Sequence, residues 1–506
     1  MAEFYFLRYL LAFACALCQT LMWRAVCLAL NPRVGLIFIM ALVFSPGNFH
    51  SSTAYLPSSF AMYMAMLGAA VFMNWRGGIK TSQGMFWYAV GGVLGWPFAA
   101  VLCAPFVLEE AFFAMISDME RFFESFFRLM RGVVSALVLV VRVPFSPFTS
   151  RSRWANHLQA VDTAINTFFY KKIEFISWNI IKYNILSSSG GPNLYGTEPW
   201  TFYFRNLLLN FNIWFILALL SLPLFLLQKI FSRRATGENF QSGLRTLVFL
   251  SPFYMWLAIF TLQPHKEERF MYPAYPFLAL NAALALHTLL TFFGNADPKT
   301  SLIGRIPAKF KLALVALALI ASVDVGIARI YGLYSGYHAP LSVYTPLLDK
   351  ETGGAGDTVC FGKDWYRFPS SFFLPRNMHA KFVRSEFRGL LPGEFSEARI
   401  GFGFWSGTWM PTRGLNDMNV EDKGKYVDLR TCVFLVDTQF PGRQVAEREP
   451  DYGMDKERWE EVKCVPFLDA ERTHFLARAL WVPDWEVVPE RFRRKWGKHC
   501  LLRQRK

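Results

Sequence analysis

Six consecutive residues, His265-Lys266-Glu267-Glu268-Arg269-Phe270, place three basic side chains and two carboxylates between the apolar runs Leu247 to Leu262 and Met271 to Phe293. Charge in that setting sits at a membrane surface or faces a polar cavity within a helical bundle, because ionised groups in lipid are expensive. A bare helix-hairpin tip would carry charge as well, but here the order is unusual. His, Lys and Arg could meet a phosphate, while the adjacent carboxylates hold the cations in place or accept from sugar hydroxyls.

A second cluster, Tyr195-Gly196-Thr197-Glu198-Pro199-Trp200, gathers a carboxylate, a hydroxyl and two aromatic rings. These residue types hydrogen-bond sugar hydroxyls and stack on sugar faces. Two breaks interrupt upstream apolar runs, and the first would line the bundle interior. They are Leu56-Pro57-Ser58-Ser59-Phe60 and Leu94-Gly95-Trp96-Pro97-Phe98, where Pro and Gly kink or interrupt a helix. Polar backbone at membrane depth is tolerated only against protein or a water-filled cavity. Simple helix packing is the competing reading for both breaks.

The elements that must position these residues are apolar blocks. The chain has 506 residues, 53% of them hydrophobic and 17% aromatic, and its apolar residues come in runs of membrane length. Phe4 to Leu30, Val34 to Phe44, Met85 to Leu108, Phe204 to Ile230, Leu247 to Leu262, Met271 to Phe293 and Leu312 to Ile330 read as membrane segments. Glu109 to Arg128 has the aspect of an interfacial helix, followed by a short apolar run from Val133 to Val143. The net charge of +15 does not imply nucleic acid, since the basic residues cluster in short loops beside apolar runs and in the C-terminal tail. Lys229, Arg233, Arg234 and Arg245 mark one cytosolic loop, and Lys299, Arg305, Lys309 and Lys311 another. Residues 144–201, the HKEERF block and everything after Tyr331 then fall on the opposite side.

These features define a polytopic α-helical bundle over residues 1–335 and a small α+β domain over residues 336–506 with a basic tail. Thr358 to Phe361 and Cys432 to Val436 read as buried strands, and Ser371 to Leu374 and Ala470 to Leu480 as helical. Cys15 and Cys18 lie among Ala and Leu, with no His or second pair to suggest a metal. Cys360, Cys432, Cys464 and Cys500 could form disulfides in an oxidising compartment, with the pairing open.

HKEERF followed by a Tyr/Pro-rich helix start resembles the signature of the dolichyl-phosphate-mannose-dependent mannosyltransferases, glycosyltransferase family 22, which have the GT-C fold. LPSSF, LGWPF and YGTEPW resemble the same family, as do Asp364 to Phe372, Ser385-Glu386-Phe387-Arg388-Gly389 and Asn416-Asp417-Met418-Asn419, so the likeness runs nearly end to end. Glu268 points to the branch that adds alpha-1,2-linked mannose to the lipid-linked oligosaccharide precursor of N-glycosylation. Relatives acting on GPI anchors, or adding alpha-1,6-mannose, tend to carry another residue there. The resemblance implies dolichyl-phosphate-mannose as donor, a lipid-linked oligomannose acceptor, an endoplasmic-reticulum membrane location and a luminal C-terminal domain. His265, Lys266, Glu267, Glu268, Arg269, Tyr195, Glu198 and Trp200 would bind substrate, with Lys266 and Arg269 on the donor phosphate. No metal or other cofactor is implied.

Two features depart from the family pattern. Where relatives carry Asp-Ser/Thr-x-x-Tyr, this chain has Asn166-Thr167-Phe168-Phe169-Tyr170 behind a stretch, about Pro147 to Ala164, that looks inserted, so Asp162 is a shifted candidate for the acid. The family's N-terminal helix and luminal Asp-Glu loop, read as supplying the catalytic base, find no match before Phe4. The expectation is a chain that binds substrates but needs that loop for transfer; the fallback bases are Asp162, Glu198, Glu267 and Glu268. A transporter would show symmetry-related repeats, which are not visible; a silent scaffold or a GPI-anchor mannosyltransferase remain the alternatives.

Overall fold

The computed structural model describes residues 1–74, 79–117, 119–141, 166, 175–186, 191–232, 240–294, 302–349, 351–393, 396–397, 408–410 and 416–505. Asp162, the apparent insertion and most of the Asn166–Tyr170 motif lie outside them. The described residues form two compact units, Arg8–Gly326, and Met1–Leu7 with Ile327–Lys506.

The first unit is a bundle of apolar helices, and the chain is a multi-pass membrane protein. Six described helices are long and apolar enough to cross a bilayer: Ala2–Ala29, Pro97–Ile116, Ile213–Ile230, Gly243–Leu262, Glu268–Gly294 and Ala308–Tyr337. Pro32, Pro46 and Pro57 each stand at the start of a helix, where a missing N–H costs nothing. Asn31 caps the first of these by accepting from Arg33 N at 2.8 Å. The chain can therefore stop and restart inside the bundle, which forms the break at LPSSF.

Three expected elements differ. The run from Phe204 to Ile230 is two helices, Phe202–Phe211 and Ile213–Ser232, separated by Asn212 at φ 43°. The Asn212 side chain accepts from Ile213 N and from Ser322 Oγ, both at 2.6 Å, which fixes the break. Met271 to Phe293 starts as a 3-10 turn, Glu268–Ala274, before Tyr275–Gly294 becomes α-helical. Finally, Glu109 to Arg128 is not one interfacial helix but parts of two, Ala104–Ser117 and Met119–Val141, the second of which absorbs most of the run from Val133. Glu110 is buried between them, accepting from Thr81 Oγ1 at 2.7 Å and Ser125 Oγ at 2.9 Å. Its charge has partners inside the protein, so it needs no solvent face.

The second unit is built on a five-stranded sheet, order β2-β1-β5-β7-β6, from β1 Thr358–Phe361, β2 His379–Phe382, β5 Phe434–Gln439, β6 Trp459–Leu468 and β7 Trp496–Gln504. A separate pair joins β3 Ser396–Glu397 to β4 Thr408–Met410. Strands β2, β1 and β5 run parallel, and β7 and β6 complete the sheet antiparallel. The basic tail is therefore not a solvated segment: β7 lies between β5 and β6, and Cys500, Leu501 and Leu502 are fully buried. Of the expected helices, Ser371 to Leu374 is a 3-10 turn and only Phe475–Ala479 of the later one forms. The four C-terminal cysteines pair as Cys360–Cys432 and Cys464–Cys500, while Cys15, Cys18, Cys27 and Cys103 are free.

A buried polar network braces this sheet. Asp364 accepts from Thr438 N at 2.7 Å and Thr438 Oγ1 at 2.8 Å and pairs with Arg367, so the first residue of DWYRF is a structural anchor. Burial pushes the Asp437 carboxyl up to about 7 despite Lys363 Nζ at 3.0 Å, and burial holds His499 down to about 4. Unfolded, Asp437 ionises near pH ~4, so between about pH 4 and 7 the folded state keeps the extra proton and stability falls as pH rises. His499 has the opposite sign. Its contribution is present above about pH 6.5 and is lost as pH falls toward 4, where the unfolded chain binds the extra proton. Each slope is at most about 1.4 kcal/mol per pH unit, and the two largely cancel. Asp437→Asn is expected to expose the His499 limb: hydrogen-exchange protection of β5 and β7, corrected for intrinsic rates, should decline below about pH 6.5 in the variant while the parent stays nearly flat. A flat variant profile would contradict this balance.

Candidate active site

The charge block follows the C-terminus of helix Phe240–Leu262 and runs into the 3-10 turn Glu268–Ala274. Helix Phe202–Phe211 holds it from one face. Tyr203 Oη donates to the Glu267 carbonyl at 3.1 Å, Asn206 Nδ2 to Glu268 Oε2 at 3.0 Å and Asn210 Nδ2 to Glu268 Oε1 at 3.1 Å. These three positions, spaced three and four apart, share one helix face. Both oxygens of Glu268 are thus engaged by protein.

The YGTEPW loop is pinned to the same block. Glu198 N donates to the Pro264 carbonyl at 3.0 Å, and His265 Nδ1 lies 2.7 Å from the Gly196 carbonyl oxygen. Gly196 has φ 102°, a backbone state that side-chain-bearing residues rarely adopt. Lys266 is a correction to the sequence reading. Rather than projecting toward a phosphate it is 6% exposed, and its Nζ donates to the Glu198 carbonyl at 2.9 Å and to the Gln263 carbonyl. It ties the two motifs together. Lys266→Met should leave both carbonyls without their donor, at a cost of about 1–3 kcal/mol, read as a lower melting temperature in detergent and faster proteolysis at residues 191–200. An unchanged melting temperature would mean that the tether carries no load.

Glu267 and Arg269 remain at the cavity. Glu267 Oε1 lies 2.6 Å from an Arg269 guanidinium nitrogen and 3.1 Å from His265 Nε2. Arg269 stays 45% exposed. A cavity of about 440 Å³ lies here, and the interrupted helices supply much of its wall: Pro57 and Ser58 from LPSSF, Trp96 and Phe98 from LGWPF, with Tyr195, His265, Glu267 and Arg269. Trp96 stacks on Phe270, centroids 5.2 Å apart, and Trp256 Nε1 donates to the Phe270 carbonyl at 2.9 Å. A π-helical turn, Gly91–Gly95, precedes Trp96, and a Cβ on Gly95 would come within 3.0 Å of the Pro57 carbonyl oxygen, so the two motifs meet through glycine. Ser58 Oγ is buried at this cavity with no hydrogen-bond partner among the described residues.

A second, polar cavity of about 330 Å³ adjoins the first. Tyr195, Gly196, Thr197 and Glu198 line it with His265, Lys266, Glu267 and Arg269. Tyr195, His265, Glu267 and Arg269 belong to both linings. Trp200 and Glu268 line neither: Trp200 is 65% exposed with its ring edge-on to Phe204, and Glu268 is turned to the asparagines. Sequence reasoning missed Tyr203, Asn206 and Asn210, although polar residues on one face of an otherwise apolar helix were a usable signal. It also missed Tyr183 and Asn184, which line the larger cavity. Nothing in their local sequence set them apart.

The chain is 36% identical to alpha-1,2-mannosyltransferase alg9 of Schizosaccharomyces pombe, covering 99% of this chain and 80% of that one. It is 37% identical to alpha-1,2-mannosyltransferase ALG9 of Homo sapiens, covering 95% and 73%. Among solved structures, the crystal structure of ArnT from Cupriavidus metallidurans bound to undecaprenyl phosphate is similar with a TM-score of 0.43 at 14% identity, covering 74% of this chain and 71% of that one. Residues 1–375 match the Alg9-like mannosyltransferase family, and the chain belongs to that family.

Proposed function

We propose that the protein adds alpha-1,2-linked mannose from dolichyl-phosphate-mannose to the lipid-linked oligosaccharide precursor of N-glycosylation. The observation that carries the reading is the meeting of LPSSF, LGWPF, YGTEPW and HKEERF at one pair of cavities with Arg269 in both linings. The apolar wall suits an isoprenoid chain and the polar cavity suits sugar hydroxyls. Arg269 supplies a fixed positive charge for the lipid phosphate, stabilising it as the glycosyl bond breaks. Glu267 and His265 orient that guanidinium. Because Glu267 and Glu268 both have protein partners, they act as positioning groups, and of the fallback bases Glu198, which lines the polar cavity, is the one to take the acceptor hydroxyl's proton.

A single phosphate neutralised by arginine needs no bridging metal, so transfer should persist in excess chelator. The test of acceptor class uses microsomes containing the protein, offering lipid-linked oligomannose and a GPI-anchor intermediate in parallel. Product on the first, removable by an alpha-1,2-specific mannosidase, supports the reading; product only on the second favours the GPI-anchor alternative.

The location proposed is the endoplasmic reticulum with the C-terminal unit in its lumen, supported by the basic loops and by two disulfides that require an oxidising compartment. A glycosylation acceptor introduced near Gly442, in an exposed turn, should give an endoglycosidase-sensitive mass shift. An unmodified, protease-accessible unit in sealed microsomes would reverse the topology.

A further inference from the structure

The second unit contains a cleft that the transfer chemistry does not use. It lies where the three parallel strands end: Lys363 to Arg367 follow β1, Phe387 follows β2, and Gln439 ends β5 with Phe440 through Asp451 following it. The carboxyl ends of parallel strands are the usual place for a ligand in an open α/β sheet, because the loops there diverge and leave a crevice. The volume is about 390 Å³, within the range of small-ligand sites.

Its lining selects a class of ligand. Trp365 packs against Phe387 with centroids 4.7 Å apart, and Tyr366 is 61% exposed with the Arg367 guanidinium over its ring at 4.7 Å. In the same lining, Gln439 and Asp451 carry side-chain atoms, Nε2 and Oδ1, that are buried and make no hydrogen bond among the described residues. One is a donor and the other an acceptor, and leaving both unmatched costs free energy that a hydroxyl-bearing ligand would recover. An anion is disfavoured because the cations here are already paired: Lys363 with Asp437 at 3.0 Å, Arg367 with Asp364, and Arg443 with Glu471 at 2.7 Å. Aromatic faces beside an amide donor and a carboxylate acceptor fit a neutral saccharide, whose hydroxyls both donate and accept. A larger open groove shares Gln439, Phe440, Arg443 and Asp451 with the cleft, so a bound sugar could continue into a longer chain.

We propose that this cleft is a second carbohydrate site, taking neutral mannose residues of the acceptor oligosaccharide. The identity of the sugar rests on the function proposed above; the existence of the site does not. The experiment measures equilibrium binding of a fluorescently labelled, lipid-free branched oligomannoside to the detergent-purified protein, alongside transfer assays on the same preparations. Saturable binding is expected, weakened at least about tenfold by Tyr366→Ala and by Asp451→Asn and retained in Arg269→Ala. Tyr366 is exposed, so its truncation tests the site without risking the fold. Binding lost in Arg269→Ala but kept in the other two, displacement by inorganic phosphate, or no saturable binding would each overturn the site. Asp451-dependent binding by protein that transfers no mannose would keep the site and reject the transfer reading.

Discussion

Arg269→Ala is expected to lower kcat/KM for the lipid-linked donor by about 10²-fold to 10³-fold, the scale seen when a preorganised group that stabilises transition-state charge is removed. Arg269 lines both cavities, and Glu267 holds its guanidinium at 2.6 Å. Its charge is in place before the leaving phosphate develops. Arg269→Lys should recover only part of the loss, because a flexible ammonium lacks the planar fork that Glu267 orients. Lys495→Ala is the control: Lys495 Nζ pairs at the surface with Glu490, far along the chain from either motif. Equal effects of the two alanine variants would remove Arg269 from the phosphate site.

The second large effect is on stability. Cys360 and Cys432 close a loop with a sequence separation of 72, and a chain-entropy argument gives such a crosslink about 4 kcal/mol. That is a large share of the ~5–15 kcal/mol that holds a domain folded. The bond also lies inside a cluster with Leu435, Trp459 and Leu502, so a paired Cys360→Ala, Cys432→Ala substitution leaves a gap in the core. The variant should accumulate poorly and lose hydrogen-exchange protection in β1 and β5, and reductant should bring the parent toward the same state. Protection equal to the parent's would show that the sheet does not depend on this bridge.

How far the sequence revealed this site follows from what kind of information each residue carries. Charge and proline inside apolar runs are locally visible, so His265 to Phe270, Pro57 and Ser58, and Trp96 stand out against their sequence neighbours alone. Their meeting at one cavity is a long-range property, made by a charge block some 65 positions from the YGTEPW loop, and the sequence reached only as far as placing the two on the same side of the membrane. Lys266 shows the limit well. A lysine reads as a free cation in sequence, yet the chain folds its ammonium onto two carbonyls, and its burial depends on residues 198 and 263 together. Asn206 and Asn210 were hidden for the opposite reason, since amides on an apolar helix read as tolerated exceptions until Glu268 is placed against them. Strand β7 was obscured by its basic flanks: Cys500-Leu501-Leu502 is a buried centre with arginines on either side.

The most direct test of the central claim is donor choice. Microsomes containing the protein, and matched microsomes containing Arg269→Ala at equal abundance, are given a lipid-linked oligomannose acceptor with either dolichyl-phosphate-mannose or GDP-mannose labelled in the sugar, with synthesis of the lipid donor blocked. The account predicts label on the acceptor only from dolichyl-phosphate-mannose, in alpha-1,2 linkage, and about 10²-fold less of it with Arg269→Ala. Label from GDP-mannose under the block, or equal transfer by the two proteins, would contradict it.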